Sequence, residues 1–202
     1  MSTIHDLQAL REIIGEPRHA SQRKDRDCLD KYDRLFLSMS PFVALATGSD
    51  GEVDVSVRGD PPGFVKVIDD RTVLIPERPG NRRADSMGNL MKDPKIAVIA
   101  FVPGVDETLR FHGRGSVVTD PELLAGTEVR GRLALVGIKI EITRVFFHCG
   151  KALMRSDLWG GRYKIERSEF PSLAQILHDQ NWDGTLETIQ EQVNDSYTNR
   201  LY

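Results

Sequence analysis

Two adjacent arginines, Arg82 and Arg83, offer the clearest chemistry in this sequence because they follow a turn and open a predicted helix. Residues 72–75 are typical of a β-strand, Pro79-Gly80 predicts a turn, and Asn81 is a good helix N-cap. Cations beside a helix N-terminus are slightly disfavoured, whereas an anion there meets unpaired backbone N–H groups. Two guanidinium groups would then hold a phosphate bidentately. The segment predicts a phosphate anchor, although two solvated surface arginines fit the residues alone equally well.

The predicted helix runs from Asn81 to about Met91 and would be ended by Asp93-Pro94. Its apolar residues recur at three- and four-residue spacing, which is typical of a helix with one buried face. These residues are Ala84, Met87, Leu90 and Met91.

Further cationic residues lie at alternating positions of predicted strands. Val53, Val55 and Val57 should face one way, and Asp54, Ser56 and Arg58 the other. We expect the face with Arg58, like that of Arg110 on a later strand, to form a barrel exterior or a groove between subunits. Any one of these arginines also fits an ordinary surface strand. Several of them in a chain whose net charge is −3 favour an anionic ligand.

Weaker candidates follow the last strand. Lys151 and Arg155 are four residues apart and would share one face of a helix, as a second anion contact or as a solvated surface. Trp159 could stack on a planar ring or pack in a core. His112 could serve as an acid or base, but a single strand histidine is more often structural. His148-Cys149 lacks further ligands at metal spacing. We therefore assign no catalytic residue and no metal.

Composition narrows the class of protein. The 202 residues and two cysteines favour one domain without a disulfide framework. A net charge of −3 argues against a nucleic-acid binder, and no apolar run has the length of a membrane span. The first residues lack the layout of a signal peptide. A cytoplasmic protein is expected, with neither nucleic acid nor membrane as a partner.

The pattern of short strands predicts a small antiparallel barrel with one helix inserted after the fourth strand. We divide the chain into a helical lead-in (1–40, with helices at 3–15 and 27–39), a barrel (41–150) and a helical extension (151–202, with helices at 168–180 and 185–193). A helix plus loop is expected at 121–132. The six or seven predicted strands cover 42–47, 53–58, 64–68, 72–75, 96–102, 109–118 and 134–147.

An ordered set of segments between Pro41 and Gly115 resembles the pyridoxamine 5′-phosphate oxidase-like, FMN-binding split-barrel family. The segments are SPFVALAT, VSVRG, RTVLIPERPGNRRA, KDPKIAVIAF and TLRFHGRG. Two longer stretches, RGDPPGFVKVIDDRTVLIPERPGNRR and FFHCGKALMRSDLW, look like a subfamily described as FMN-dependent enzymes. The resemblance implies a mainly β fold with helical additions (α+β), a six- to seven-stranded antiparallel split β-barrel.

The same resemblance implies roles for individual residues. Arg58 would contact the phosphate or ribityl chain of FMN, and Arg82 and Arg83 would clamp the phosphate. The strand backbone at Ile75 and Pro76 would run beside the flavin. Thr108 falls where the oxidase places a glutamine near the ring. Asn81 and Arg83 replace a serine and a lysine of the family's clamp, and the family's Gln-Ser pair and C-terminal arginine–histidine pattern are not recognisable.

By resemblance, the chain is an FMN-dependent oxidoreductase acting on a small substrate that the sequence does not identify. Two subunits would pair as a homodimer, with FMN in the groove between them. Two alternatives stay open: a flavin- or haem-binding protein that stores or senses without turnover, and a barrel that uses a deazaflavin in the same groove.

Overall fold

The computed structural model describes residues 3–17 and 24–202, so residues 18–23 of the lead-in lie outside the described part. Helix α1 spans Leu7–Ile14 and begins at Asp6, whose side chain accepts a hydrogen bond from the Ala9 backbone N–H. The helix predicted at 3–15 is therefore shorter than expected. Helix α2 spans Lys31–Met39, and Asp30 and Asp33 form a reciprocal capping box at its start.

Seven strands form one antiparallel sheet, which confirms the predicted fold class. Their order is β2-β1-β5-β6-β7-β4-β3. Short turns link β1 to β2 and β3 to β4, whereas the helix that follows β4 leads to β5 on the far side of the sheet. The strands are β1 (Phe42–Ser49), β2 (Glu52–Gly59), β3 (Lys66–Val67), β4 (Thr72–Pro76), β5 (Lys95–Phe101), β6 (Thr108–Val118) and β7 (Gly137–His148).

The core lies on one face of this curled sheet, where alternate residues of the strands meet α2. Val43, Leu109 and Phe111 have no exposed surface, and Phe36 of α2 packs edge-on against Phe147 at 5.4 Å between ring centroids. Alternation along the strands puts every second side chain into this core, while Leu74 of β4, between the buried Val73 and Ile75, belongs to a second cluster with Leu124 and Ala134.

Strand β2 turns its valines, and not Arg58, to the outside of the sheet, so a barrel-exterior position for Arg58 was wrong, whereas a groove between subunits stays a prediction. Its valines are exposed, at 80% for Val53, 67% for Val55 and 58% for Val57. Arg58 pairs across the ladder with Val43, so it points to the inner side of the sheet and not to a barrel exterior. Alternation identifies which residues share a face, but it does not say which face is covered.

The central helix, α3, spans Asp85–Lys92 and begins four residues later than predicted. Ala84 occupies the N-cap position with a positive φ of 57°, and no side chain caps the helix. The assignment of Asn81 as N-cap was therefore wrong. Its side chain instead accepts a hydrogen bond from the Arg83 backbone N–H at 3.0 Å. The anchor segment is thus a loop from 77 to 84.

Short helices follow the barrel strands. Helix α4 spans Pro121–Leu124 and a loop follows it, in line with the helix plus loop predicted at 121–132, and α5 spans Lys151–Ser156. Within the predicted helical extension lie α6 (Leu173–Asp179) and α7 (Leu186–Asn199), which are preceded by a 3₁₀ turn at Arg167–Glu169. Among the described residues, none of the helices has the length and apolar character needed to cross a bilayer.

Candidate functional site

A cavity of about 770 Å³ lies where edge strand β2 meets the end of β4 and the 77–84 loop. This place is the opening between the two ends of the curled sheet, because β2 is the first strand of the sheet order and β4 is the last but one. A volume in this range suits a small-molecule ligand. The predicted site residues Arg58, Pro76, Asn81 and Arg83 all line this cavity, which we call the β2 cavity.

Arg58 is held at this cavity by three hydrogen bonds. Its Nε donates to Glu77 Oε2 at 2.7 Å, and one terminal nitrogen donates to Ser56 Oγ at 3.0 Å and to the Val57 carbonyl at 2.8 Å. The side chain is 16% exposed and that of Glu77 24% exposed. The guanidinium is therefore positioned in advance, with a carboxylate as its present partner.

Arg83 lines the β2 cavity together with Arg58 and Arg78, and its side chain is far more exposed than that of Arg58, at 72%. Its Nε donates to Asp85 Oδ2 at 2.8 Å. An exposed ion pair of this kind is worth at most about 1 kcal/mol, so an incoming dianion could replace the carboxylate at little cost.

The loop that carries these residues has an unusual backbone. Arg82 and Ala84 both adopt left-handed φ values, 62° and 57°. Such a conformation costs a residue with a side chain about 1–2 kcal/mol. Non-glycine residues in strained backbone cluster at ligand sites, where the surrounding structure holds them.

Because the backbone is left-handed at Arg82, the side chains of the adjacent Arg82 and Arg83 line different cavities. Arg82 does not line the β2 cavity. It lines two adjoining cavities instead, each of which also contains Arg132 and Tyr202. The structure thus places Arg83, and not Arg82, at the cavity that Arg58 lines.

The remaining residues predicted to bind the cofactor lie elsewhere. Ile75 is fully buried in the core, so only its backbone could approach a ligand. Thr108 and Arg110 lie on the outer face of β6, away from the β2 cavity. Lys151 and Arg155 are exposed on α5. Trp159 donates from its indole nitrogen to the Val105 carbonyl at 2.9 Å.

Several residues at the site were missed from the sequence. Glu77 binds Arg58, and the Ser86 hydroxyl of α3 lies 2.8 Å from that of Ser56 on β2. Arg78 donates to Asp60 Oδ2 at 2.7 Å, and the side chain of Asp60 is 1% exposed. The available signal was the Glu77-Arg78 pair, which stands between two prolines directly before the predicted anchor.

The chain belongs to the pyridoxamine 5′-phosphate oxidase family, whose model matches residues 29–149. This is a flavin-binding family, and the seven-stranded antiparallel sheet agrees with its split-barrel fold. No curated protein matches the chain.

Solved structures give low-identity similarities that cover somewhat over half of the chain. HupZ of Group A Streptococcus is 14% identical, with a TM-score of 0.49, over 59% of this chain and 93% of its own. The FAD binding protein from Mycobacterium smegmatis is 15% identical, with a TM-score of 0.39, over 60% of this chain and 95% of its own. General Stress Protein 26 from Bacillus anthracis is 13% identical, with a TM-score of 0.40, over 56% of this chain and 88% of its own.

Proposed function

We propose that this protein is an FMN-binding homodimer and an FMN-dependent oxidoreductase that acts on a small substrate. The observation that carries the proposal is the meeting of Arg58 and Arg83 at one cavity in the opening of a split barrel. Family membership makes a flavin the expected occupant of such a cavity.

The residues of the β2 cavity fit the phosphate end of FMN. Arg58 and Arg83 supply charge-assisted donors, and the Asn81 side chain and loop backbone supply polar groups beside them. Each arginine at present binds a carboxylate, Glu77 or Asp85, and these are positions that a phosphate would take over. The cost of the exchange is low at Arg83 and higher at the more buried Arg58.

The flavin ring needs an apolar wall, and the same cavity provides one. Phe64 and Pro76 line its inner side, and the exposed Val55 and Val57 line its outer edge. When bound, the flavin supplies the redox chemistry, and the protein positions it and excludes water. No acid or base of this chain is required by the proposal.

The outer face of the sheet supports the homodimer. Val57 pairs with Ala44, which pairs with Ile99, so apolar side chains continue from β2 across β1 to β5 on this face. Phe42 and Phe101 follow in the neighbouring row, with 6.0 Å between their ring centroids. A second copy that covered this face would also close the outer edge of the β2 cavity. Thr108, Arg110, Lys151, Arg155 and Trp159 remain predicted contacts to the cofactor, which a partner subunit could contribute.

A binding assay with matched variants tests the cofactor site. FMN fluorescence is titrated with wild-type protein and with Arg83→Gln and Arg82→Gln. Loss of one charge-assisted contact predicts at least about tenfold weaker binding for Arg83→Gln. Arg82→Gln is the control, because its side chain lines the adjoining cavities. If Arg83→Gln binds FMN as tightly as wild type does, the site assignment is wrong.

Turnover and cofactor identity need separate measurements. The mass and absorbance spectrum of the molecule that co-purifies with the protein distinguish FMN from a deazaflavin or haem. Anaerobic loss of flavin absorbance on addition of NADH or NADPH, with recovery in air, is expected of an oxidoreductase. A flavin that such donors and small reductants leave unchanged would favour a carrier or sensor.

A further inference from the structure

Three cations converge on one aromatic ring on the outer face of strands β6 and β7, away from the β2 cavity. Lys24 Nζ lies 4.9 Å from the centroid of Phe146, and the guanidinium carbons of Arg110 and Arg144 lie 5.2 and 4.8 Å from it. His112 stacks on the same ring at 6.2 Å between centroids. We call these five residues the Phe146 cluster.

The ladder between β6 and β7 builds this cluster. Arg110 pairs with Phe146, and His112 pairs with Arg144, so all four side chains project from one face of adjacent strands. Lys24 reaches the ring from the segment before α2, where its ammonium donates to the Phe147 carbonyl at 3.2 Å. Two distant parts of the chain thus bring positive charge to the same place.

Negative charge does not balance the cluster within the described part of the chain. Asp25 binds Arg144 at 2.6 Å. Among residues 3–17 and 24–202, no hydrogen bond or ion pair satisfies the guanidinium of Arg110, which is only partly exposed. A cation–π contact at an exposed site is weaker than a hydrogen bond between Arg110 and an oxyanion would be.

Two buried polar atoms on the same face also lack partners in the described structure. They are the Nε2 of His112 and the Oγ1 of Thr108, a residue that is 1% exposed. Thr108, Arg110 and His112 alternate along β6, so their side chains share a face at a spacing of about 7 Å. A buried hydroxyl or imidazole nitrogen without a partner destabilises the fold, so a ligand that supplies the missing hydrogen bond is favoured.

The cluster borders the apolar face that we assign to the second subunit. One ladder row runs Val55, Ala46, Ala97, His112 and Arg144, and it passes from apolar to cationic at β6. Strands are about 4.8 Å apart, so His112 lies about 14 Å from the β2 edge. The cluster therefore flanks the proposed seam between subunits.

We propose that the Phe146 cluster binds an oxyanion, a phosphate or carboxylate group of a small molecule, through Arg110, Lys24 and the unpartnered His112. Where the proposed function holds, this makes the substrate of the flavin enzyme an anion that is held at the edge of the seam between subunits. Neither Arg58 nor Arg83 takes part. Arg110 is also a predicted contact to the cofactor, whereas His112 and Lys24 are not, so the test is read at His112 and includes a Lys24 variant.

His112 provides a direct readout because its protonation responds to the charge beside it. Burial, followed by repulsion from Arg110 and Arg144, lowers the pKa of its imidazole from the ordinary 6.5, against a smaller opposing effect of Asp25. Lys95 and Asp93 line the cavity that His112 also borders, and they form an ion pair with each other. A bound oxyanion would favour the imidazolium and raise this pKa.

The experiment is an NMR pH titration of the full-length protein with ¹⁵N-labelled histidine, in which His112→Gln identifies the resonance. Inorganic phosphate and acetate are added separately, with sodium chloride at matched ionic strength as the control for screening. If the cluster binds an oxyanion, the pKa of His112 should rise saturably as phosphate or acetate is added, and it should rise more than in sodium chloride at the same ionic strength. A larger rise with phosphate than with acetate indicates a phosphate site, and the reverse order a carboxylate site.

Two variants locate the effect. Arg110→Gln should weaken the oxyanion response at least about tenfold, as expected for loss of a charge-assisted contact. Arg114→Gln, an exposed arginine on the same strand, should leave it unchanged. Lys24→Gln provides a second test should Arg110→Gln fail to give a native amide spectrum. Equal pKa values in chloride, phosphate and acetate, or a response that both cluster variants retain, would overturn the proposal whether or not the protein binds FMN.

Discussion

Arg58 of β2 and Glu77, directly after β4, form an ion pair of 2.7 Å between the two ends of the sheet. Both side chains are mostly buried at the β2 cavity. The pair links the two edges at which the barrel is open. It also occupies the guanidinium that the proposed function assigns to a phosphate, so Glu77 and the phosphate should compete for Arg58.

Replacement of Glu77 by glutamine tests this competition. Glu77→Gln keeps the shape of the side chain but removes its charge, so Arg58 becomes available to an anion. We expect tighter FMN binding, and a free energy of unfolding about 1–3 kcal/mol lower without ligand, because a partly buried cation loses its partner. Fluorescence titration and urea unfolding measure the two effects. Asp85→Asn, which alters the exposed pair of Arg83, should change stability by no more than about 1 kcal/mol. Weaker FMN binding in Glu77→Gln would show that Glu77 supports the site and does not compete for it.

The valine face of β2 predicts the effect of a charge on assembly. Val55 is 67% exposed, so Val55→Glu should hardly change the stability of a single chain. In a dimer that covers this face, the carboxylate would be buried without a partner, and the dimer should dissociate. Sedimentation analysis measures the mass. Ile165→Glu, a comparably exposed residue outside the sheet, is the control. A Val55→Glu protein that remains dimeric would place the interface elsewhere.

The lowered pKa of His112 predicts how stability depends on pH. In the unfolded chain the imidazole takes up a proton near its ordinary pKa of 6.5, whereas burial and two arginines disfavour that proton in the native state. As the pH falls below about 6.5, the unfolded state therefore binds more protons, and the free energy of unfolding decreases until the native pKa is passed. Urea unfolding between about pH 7 and pH 5 should show a steeper loss for wild type than for His112→Gln. Parallel curves would mean that His112 has an unshifted pKa.

The approximate positions of the strands and the antiparallel barrel class could be predicted from the sequence, since period-two alternation and short turns are local signals. The order of the strands in the sheet was not predicted, because it depends on pairing between distant segments. The orientation of β2 could not be predicted from the sequence, because its valines and its polar residues alternate equally well. Which of the two sets faces the core depends on what covers each face of the sheet. The start of α3 was also missed, because nothing in the residue types of Arg82 and Ala84 indicates a left-handed backbone.

The Phe146 cluster shows a different limit. Arg110 and His112 were recognised on one strand, but their meeting with Phe146 and Lys24 depends on the pairing of β6 with β7. That pairing shifts register at a bulge between His112 and Gly113. A one-residue change of register would turn the cluster toward the core, and no sequence pattern fixes it.

Gly113 is the residue at which this register can be tested. A Cβ atom there would overlap the backbone carbonyl of Glu141 on β7, and a backbone group cannot move aside as a flexible side chain can. Gly113→Ala should therefore lower the free energy of unfolding by about 1–3 kcal/mol and perturb the NMR signal of His112, which is adjacent.

Gly88 provides the matched control, because it lies within α3 and a Cβ there meets no atom within 4 Å. Gly88→Ala should raise stability by about 0.5–1 kcal/mol, since alanine favours a helix, and should leave the His112 signal in place. Urea unfolding and the histidine spectrum measure both variants. Gly113→Ala with wild-type stability and an unchanged His112 signal would show that β6 and β7 do not pair closely at Gly113. The geometry of the Phe146 cluster, which depends on that pairing, would then be wrong.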